Sequence, residues 1–194
     1  MTSTSPTVMI IGGPNGAGKS TIAPAIIDRA FARIEFVNAD VIARGLSGLE
    51  PDRQAFAAGR IMMRHISDLA AARRDFAFEA TLAGRTFAPM LRRMTATGYR
   101  MHLVYVWVRS PEIAVQRVRS RVASGGHSVP EGTIRRRYAR SAHNLLQHYL
   151  SLASRWEILD NSTSGDAKYI AAGGLKEDMI IYDKVAWRQL DQFR

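Results

Sequence analysis

The residues Gly13-Pro14-Asn15-Gly16-Ala17-Gly18-Lys19-Ser20 have the spacing G-x-x-x-x-G-K-[ST]. Each residue type has a chemical task. The glycines let successive backbone N–H groups turn inward around an anion without a Cβ clash. Lys19 supplies a cation for the β- and γ-phosphates of a nucleoside triphosphate, and Ser20 supplies a hydroxyl for Mg²⁺. The nucleotide-binding set is expected to extend to Thr21. A chain of this length matches the pattern by accident roughly once in a hundred. Here the match also lies between a predicted strand and a predicted helix, as phosphate binding requires.

Three further groups could act on a substrate. Asp40 follows a short apolar strand, at the carboxyl end where open α/β sheets form their binding crevice. A carboxylate there can take a proton from a hydroxyl or hold magnesium through water, and it can equally cap a helix over Val41-Ile42-Ala43. Glu79 ends the apolar run Phe76-Ala77-Phe78, with Thr81 beside it. A carboxylate beside a buried strand needs a partner or a cleft, which points to a substrate hydroxyl or the outer coordination of magnesium. The third group is the set Arg117, Arg119, Arg121, Arg135, Arg136, Arg137 and Arg140 around Gly125-Gly126. Arg117 and Arg121 share a helix face at i,i+4, as do Arg136 and Arg140. Two such helices joined by a flexible segment make a lid, expected over about residues 117–140, that brings charge to a phosphoryl group and excludes water. One or two arginines meet that need and the others are solvated. His127 lies in the hinge as a candidate substrate contact.

The elements that must position these groups are legible. Thr7–Ile11 reads as a buried strand running into the glycine loop. A helix starts near Lys19 with Ile22, Ala23, Ile26 and Ile27 on one face. Strands are expected at Ile34–Val37, Phe76–Glu79, Met101–Val108 and Trp156–Asp160, with weaker candidates at Tyr169–Ala171 and Met179–Tyr182. Helices are expected over Asp52–Arg74 and Phe87–Thr97, after the Ser110 cap with Pro111 at the first position, and again after Pro130. Trp107 and Tyr105 read as core. Strands alternating with helices give a three-layer α/β/α domain around a mostly parallel sheet, a single domain over 1–194.

Composition limits the function classes. With no cysteine there is no disulfide, thiolate metal site or Cys nucleophile. No apolar run is long enough for a membrane, and the N-terminus has neither a basic n-region nor a cleavage pattern, so a cytoplasmic protein is expected. The net charge is +10, and only four of the 27 basic side chains are lysine. That balance suits an anionic partner. It would also fit a nucleic-acid-stimulated ATPase, but no paired aromatic stacking motif is present.

The ordered set of motifs resembles the zeta-toxin-like P-loop kinases. The resemblance is carried by Gly12 through Thr21, Phe36-Val37-Asn38-Ala39-Asp40, Phe78-Glu79-Ala80-Thr81-Leu82, the arginine helix, Gly125 through Glu131, and Arg136-Arg137-Tyr138. Toxin members of that family phosphorylate UDP-N-acetylglucosamine on its sugar. The resemblance implies ATP and Mg²⁺ as cofactors, Lys19 on the phosphates, Asp40 as general base on the acceptor hydroxyl, and Glu79 on the sugar nucleotide. It makes Arg121 the first of two phosphate-contacting arginines. Where the toxin pattern has the second, this chain has His127, which leaves Arg136 or Arg137 to take that part. An antitoxin protein is the implied partner. The chain is shorter than the toxins, so another small-molecule acceptor (an antibiotic, nucleoside or sugar) stays open.

Overall fold

The apolar strand and the glycine loop are where folding and chemistry meet. In a computed structural model, which describes residues 5–30, 34–47, 54–126 and 128–194, every residue of β1 (Thr7–Gly12) is buried. β1 is central because it pairs in parallel with β3 (Phe76–Ala80) on one side and β4 (Arg100–Trp107) on the other. Around them lie β2 (Glu35–Val37), β5 (Arg155–Asp160), β6 (Lys168–Gly174) and β7 (Glu177–Ile181) in the order β2-β3-β1-β4-β5-β6-β7. The first five positions are parallel and β6 and β7 are antiparallel additions. The strand order reverses beside β1, so the crevice at its carboxyl end opens at the topological switch point.

Alternation along the central strands feeds two cores. Met9, Ile11, Ala77 and Val106 pack with Ala23 and Ile27 of α1 (Lys19–Ala30). Val8, Ile10, Phe76, Phe78, Leu103, Tyr105 and Trp107 face the larger cluster. That cluster takes in α3 (Ala55–Ala71), α4 (Phe87–Ala96), α5 (Pro111–Ala123) and α6 (Glu131–Asn144), together with α7 (Lys184–Asp191). The result is the expected three-layer α/β/α fold of the P-loop class. Trp107 and Tyr105 are indeed core, 1% and 0% exposed.

Three elements differ from expectation. The helix expected over Asp52–Arg74 runs from Ala55 to Ala71 among the described residues. It closes through Arg73 at φ 51, with Arg74 N–H donating to the Leu69 carbonyl. That is a left-handed helix end with a residue other than glycine. A short helix α2 (Ala39–Leu46) follows β2, and its cap is Asn38 rather than Asp40. The side-chain oxygen of Asn38 accepts from the backbone N–H of Asp40 and Val41 at 2.8 and 3.3 Å. Asp40 is thereby one position inside the helix, with its carboxylate free of the capping task. Helix α7 was not expected; Asp183 caps it through Val185 N–H and Ala186 N–H. No helix among the described residues is long and apolar enough to cross a membrane.

Candidate active site

The loop after β1 is shaped by what touches it from the β4 side. A Cβ on Gly16, at φ +78, would lie 2.3 Å from the Ala114 carbonyl oxygen. One on Gly18, at φ +91, would lie 2.3 Å from Nδ2 of Asn161. Only glycine meets both the dihedral and the space at these two places. Asn161 follows β5 and donates to the Ala17 carbonyl at 2.8 Å, bracing the loop from a residue far away in sequence. The β4 side of the loop is therefore filled by protein.

The opposite, β3 side holds the polar groups. Lys19 is 6% exposed, and its Nζ donates to the Pro14 carbonyl at 3.0 Å and lies 3.7 Å from Oε1 of Glu79. Burial lowers the Lys19 pKa below its ordinary 10.5, opposed by the charges of Glu79 and Asp40 and reinforced by Arg121. Ser20 Oγ donates to Glu79 Oε2 at 2.8 Å, and Asn38 Nδ2 donates to the same oxygen at 3.0 Å. Lys19, Ser20, Asn38, Asp40 and Glu79 thus converge from the loop, β2 and β3. Asp40 is exposed at the mouth, where it can meet solvent or substrate.

The arginines separate into groups. Arg119 pairs with Glu131 at 2.6 Å, and Arg135 pairs with both Glu131 and Glu112 at 2.9 and 2.6 Å. Those two belong to a surface network joining α5 to α6. Arg117 donates to the Ser162 carbonyl at 3.3 Å. Arg121 acts electrostatically on Lys19, which places its charge near the loop. Arg137 Nη1 reaches Oδ1 of Asn15, inside the glycine loop, at 3.4 Å. Arg136 is exposed and makes no hydrogen bond or ion pair with the described residues. Of the two candidates on α6, Arg137 is the one at the loop. Thr81 follows β3 at the same end of the sheet, and Thr21 lies in the first turn of α1. His127 lies outside the described residues.

Sequence reasoning missed Asn38 and Asn161 as structural members of the site. The Asn-x-Asp spacing before α2 carries a local cap signal for Asn38. Asn161 carries none. It also missed Arg109, which binds Asp160 and Asp183 at 2.6 Å each and ties the α7 cap to the β4–α5 and β5–β6 loops.

The chain resembles several known proteins. It matches, over 126 residues and at 29% identity, an uncharacterized protein of Haemophilus influenzae, covering 65% of this chain and 88% of that one. Among solved structures, the AvrRxo1-ORF1:AvrRxo1-ORF2 complex superposes with a TM-score of 0.76 at 14% identity. The match takes in 97% of this chain and 64% of that one, so this chain spans about two-thirds of its length or less. The PezAT toxin–antitoxin system of Streptococcus pneumoniae superposes with a TM-score of 0.67 at 15% identity, over 100% of this chain and 89% of that one. At these identities the likeness is one of fold. The sequence model of the AAA domain matches residues 8–143, which include the glycine loop, both carboxylates and Arg137. The chain belongs to the AAA domain family of P-loop proteins.

Proposed function

We propose that the protein is a small-molecule kinase that transfers the γ-phosphoryl group of ATP to a hydroxyl, with a sugar nucleotide such as UDP-N-acetylglucosamine as the acceptor. The observation that carries this reading is the convergence on one side of a phosphate loop. A desolvated Lys19, two carboxylates from adjacent strand ends and an arginine from α6 meet there. A glycine-rich turn without a ligand has no use for a buried cation.

In this reading Lys19 and the loop N–H groups bind the phosphates. Asp40 orients the acceptor hydroxyl and accepts its proton as the O–P bond forms. Glu79 and Thr81 hold the acceptor, and Arg121 and Arg137 meet the charge that spreads over the transferring group. Among the described residues no three His, Cys, Asp or Glu gather as a ready-made metal cage. The Ser20 hydroxyl beside the Glu79 carboxylate nonetheless suits Mg²⁺, which takes few protein ligands and completes its shell with phosphate oxygens and water. When bound, the ion neutralises charge between the β- and γ-phosphates. Residues 117–140 act as the lid in this scheme. PezAT is a toxin–antitoxin system, and that supports a proteinaceous antitoxin as a partner of this chain in the cytoplasm.

The direct test is transfer of label from γ-labelled ATP with Mg²⁺ to UDP-N-acetylglucosamine. A labelled sugar nucleotide that disappears in Lys19→Ala is the expected result. Label on another hydroxyl compound in a parallel metabolite panel would keep the kinase and replace the acceptor. Hydrolysis stimulated by RNA or DNA, with no labelled small molecule, would defeat the reading.

The lowered Lys19 pKa adds a pH signature. The charge that attracts phosphate is complete below the folded-state pKa and is lost as pH rises through it. That loss comes earlier than an ordinary lysine at 10.5 would give. Nucleotide affinity is therefore expected to fall in the alkaline range while the fold persists, followed by titrating a fluorescent ATP analogue at stepped pH with circular dichroism alongside. Affinity that stays flat up to pH 10.5 would contradict it.

A further inference from the structure

Two polar side chains of α6 are buried without any place in the catalytic scheme. Ser141 is 0% exposed and Asn144 is 6% exposed. Buried polar groups are expensive unless bonded, so what they bond to identifies their task. Ser141 Oγ donates to the Thr81 carbonyl at 2.5 Å. Asn144 Nδ2 donates to the Leu82 carbonyl at 2.9 Å. Tyr149, fully buried in the turn that follows, donates its phenol to the Gly84 carbonyl at 2.9 Å. Three side chains from one helical segment thus hold three carbonyls of one four-residue loop.

The loop needs holding. Leu82 sits at φ 55, a left-handed conformation that costs a residue with a Cβ and persists only where surroundings impose it. Leu82 is 1% exposed, and its Cδ1 would lie 2.4 Å from a Cβ on Gly12, so its side chain is wedged against the last residue of β1. The strained loop therefore leads directly from Glu79 and props the start of the phosphate cradle.

The helix geometry makes this one device. Arg137, Ser141 and Asn144 are spaced by four and three and share a face. The next turn, Leu145–Tyr149, is π-helical. A π turn takes one more residue than an α turn, so the stripe continues at Tyr149 and not at His148. A single stripe of α6 and its π turn thus touches the phosphate loop through Arg137 and then grips the loop after β3. The β4 side of the phosphate loop is filled by Ala114 and Asn161, which leaves the β3 side for an acceptor.

We propose that Ser141, Asn144 and Tyr149 are positioning residues for the phosphoryl acceptor. They fix the Thr81–Gly84 loop, and with it Glu79 and Thr81, in register with the arginine carried by the same helix face. The proposal rests on the kinase reading above. Burial pushes the Tyr149 phenol up to about 12, so it remains a donor throughout the neutral range. The Tyr105 hydroxyl bonds Ser141 Oγ at 2.9 Å, extending the network into the central sheet.

The test compares Tyr149→Phe and Ser141→Ala with Tyr99→Phe in the full chain. Tyr99→Phe removes a matched buried bond, from the phenol to the Arg74 carbonyl at 2.8 Å, at the opposite end of the sheet. The acceptor used is whichever member of a panel of sugars, nucleosides and sugar nucleotides the wild type phosphorylates fastest. Tyr149→Phe is expected to raise the acceptor KM about tenfold, with the affinity for a fluorescent ATP analogue kept within about twofold. Amide exchange in residues 81–86 is expected to quicken. Tyr99→Phe changes none of these. Ser141→Ala follows Tyr149→Phe with a larger effect, and Tyr149→Phe alone decides the matter where Ser141→Ala is unstable. An unchanged acceptor KM, or ATP affinity falling in step with it, overturns the proposal while the kinase reading stands. A wild type that phosphorylates no member of the panel overturns both.

Discussion

Asp40→Asn is expected to bind ATP as the wild type does and to transfer phosphate about 100- to 10,000-fold more slowly. The substitution keeps size and position: Asp40 is held one residue inside α2 by the Asn38 cap, and its backbone N–H is the donor in that cap. What is removed is the negative charge and, with it, the ability to take a proton. Asp40 also contributes favourable charge to Lys19, so its neutralisation removes an attraction for the lysine and a repulsion for phosphate together. Nucleotide affinity therefore changes little. The check is kcat at saturating ATP and acceptor, beside the dissociation constant of a fluorescent ATP analogue. Retained turnover would remove Asp40 from the role of base and leave Glu79, whose Oε2 already accepts from Ser20 and Asn38, as the remaining carboxylate at the site.

Much of the fold was legible because its signals are local. The β1 run, the glycine loop and the apolar β4 each declare their state within eight residues, and the structure forms them within a residue or two. The Ser110 cap with Pro111 at the first helical position starts α5 as expected, its hydroxyl accepting from Ile113 N–H at 3.3 Å. Of the two eight-residue helices, α2 stood as an open alternative with Asp40 as its cap, and α7 was missed. Helices that short are marginal on propensity and depend on a cap and on tertiary packing. Both caps were in plain view as Asn38 and Asp183, but each competes with turn readings that a sequence cannot rank.

The site was legible in part for the same reason. Lys19, Ser20 and Asp40 follow strand ends and Glu79 lies in the last two residues of β3, and strand ends are readable. Asn161, Ser141, Asn144 and Arg109 act on segments 144, 60, 62 and 51 residues away. No local pattern encodes such pairings. They become visible only when the sheet brings β3, β1, β4 and β5 side by side. The arginines show the limit most clearly. Spacing placed Arg117 with Arg121 and Arg136 with Arg140. It could not reveal that Glu131 engages Arg119 and Arg135, or that Arg137 faces inward while Arg136 faces solvent.

That difference sets up the second large effect. Arg137→Ala is expected to lower kcat about 100- to 1,000-fold, the usual cost of removing one donor aimed at developing charge. Arg136→Ala is expected to stay within about twofold, as an exposed cation outside any network of the described residues. The asymmetry follows from α6. Tyr138 and Ile134 are buried, with Tyr138 stacked on Trp107 at 6.3 Å and donating to the Val108 carbonyl at 2.7 Å. Those contacts fix the rotation of the helix. With the rotation fixed, residue 137 meets Asn15 across a 3.4 Å contact that is long for a hydrogen bond and leaves the guanidinium free to turn toward a stronger acceptor. A phosphoryl group in the cradle is such an acceptor. Arg137→Lys keeps the charge and loses the planar fork, so it should recover only part of the loss. If instead Arg121→Ala abolishes transfer and Arg137→Ala leaves kcat intact, the transition-state arginine belongs to α5, and the Asn15 contact serves only to seat the loop.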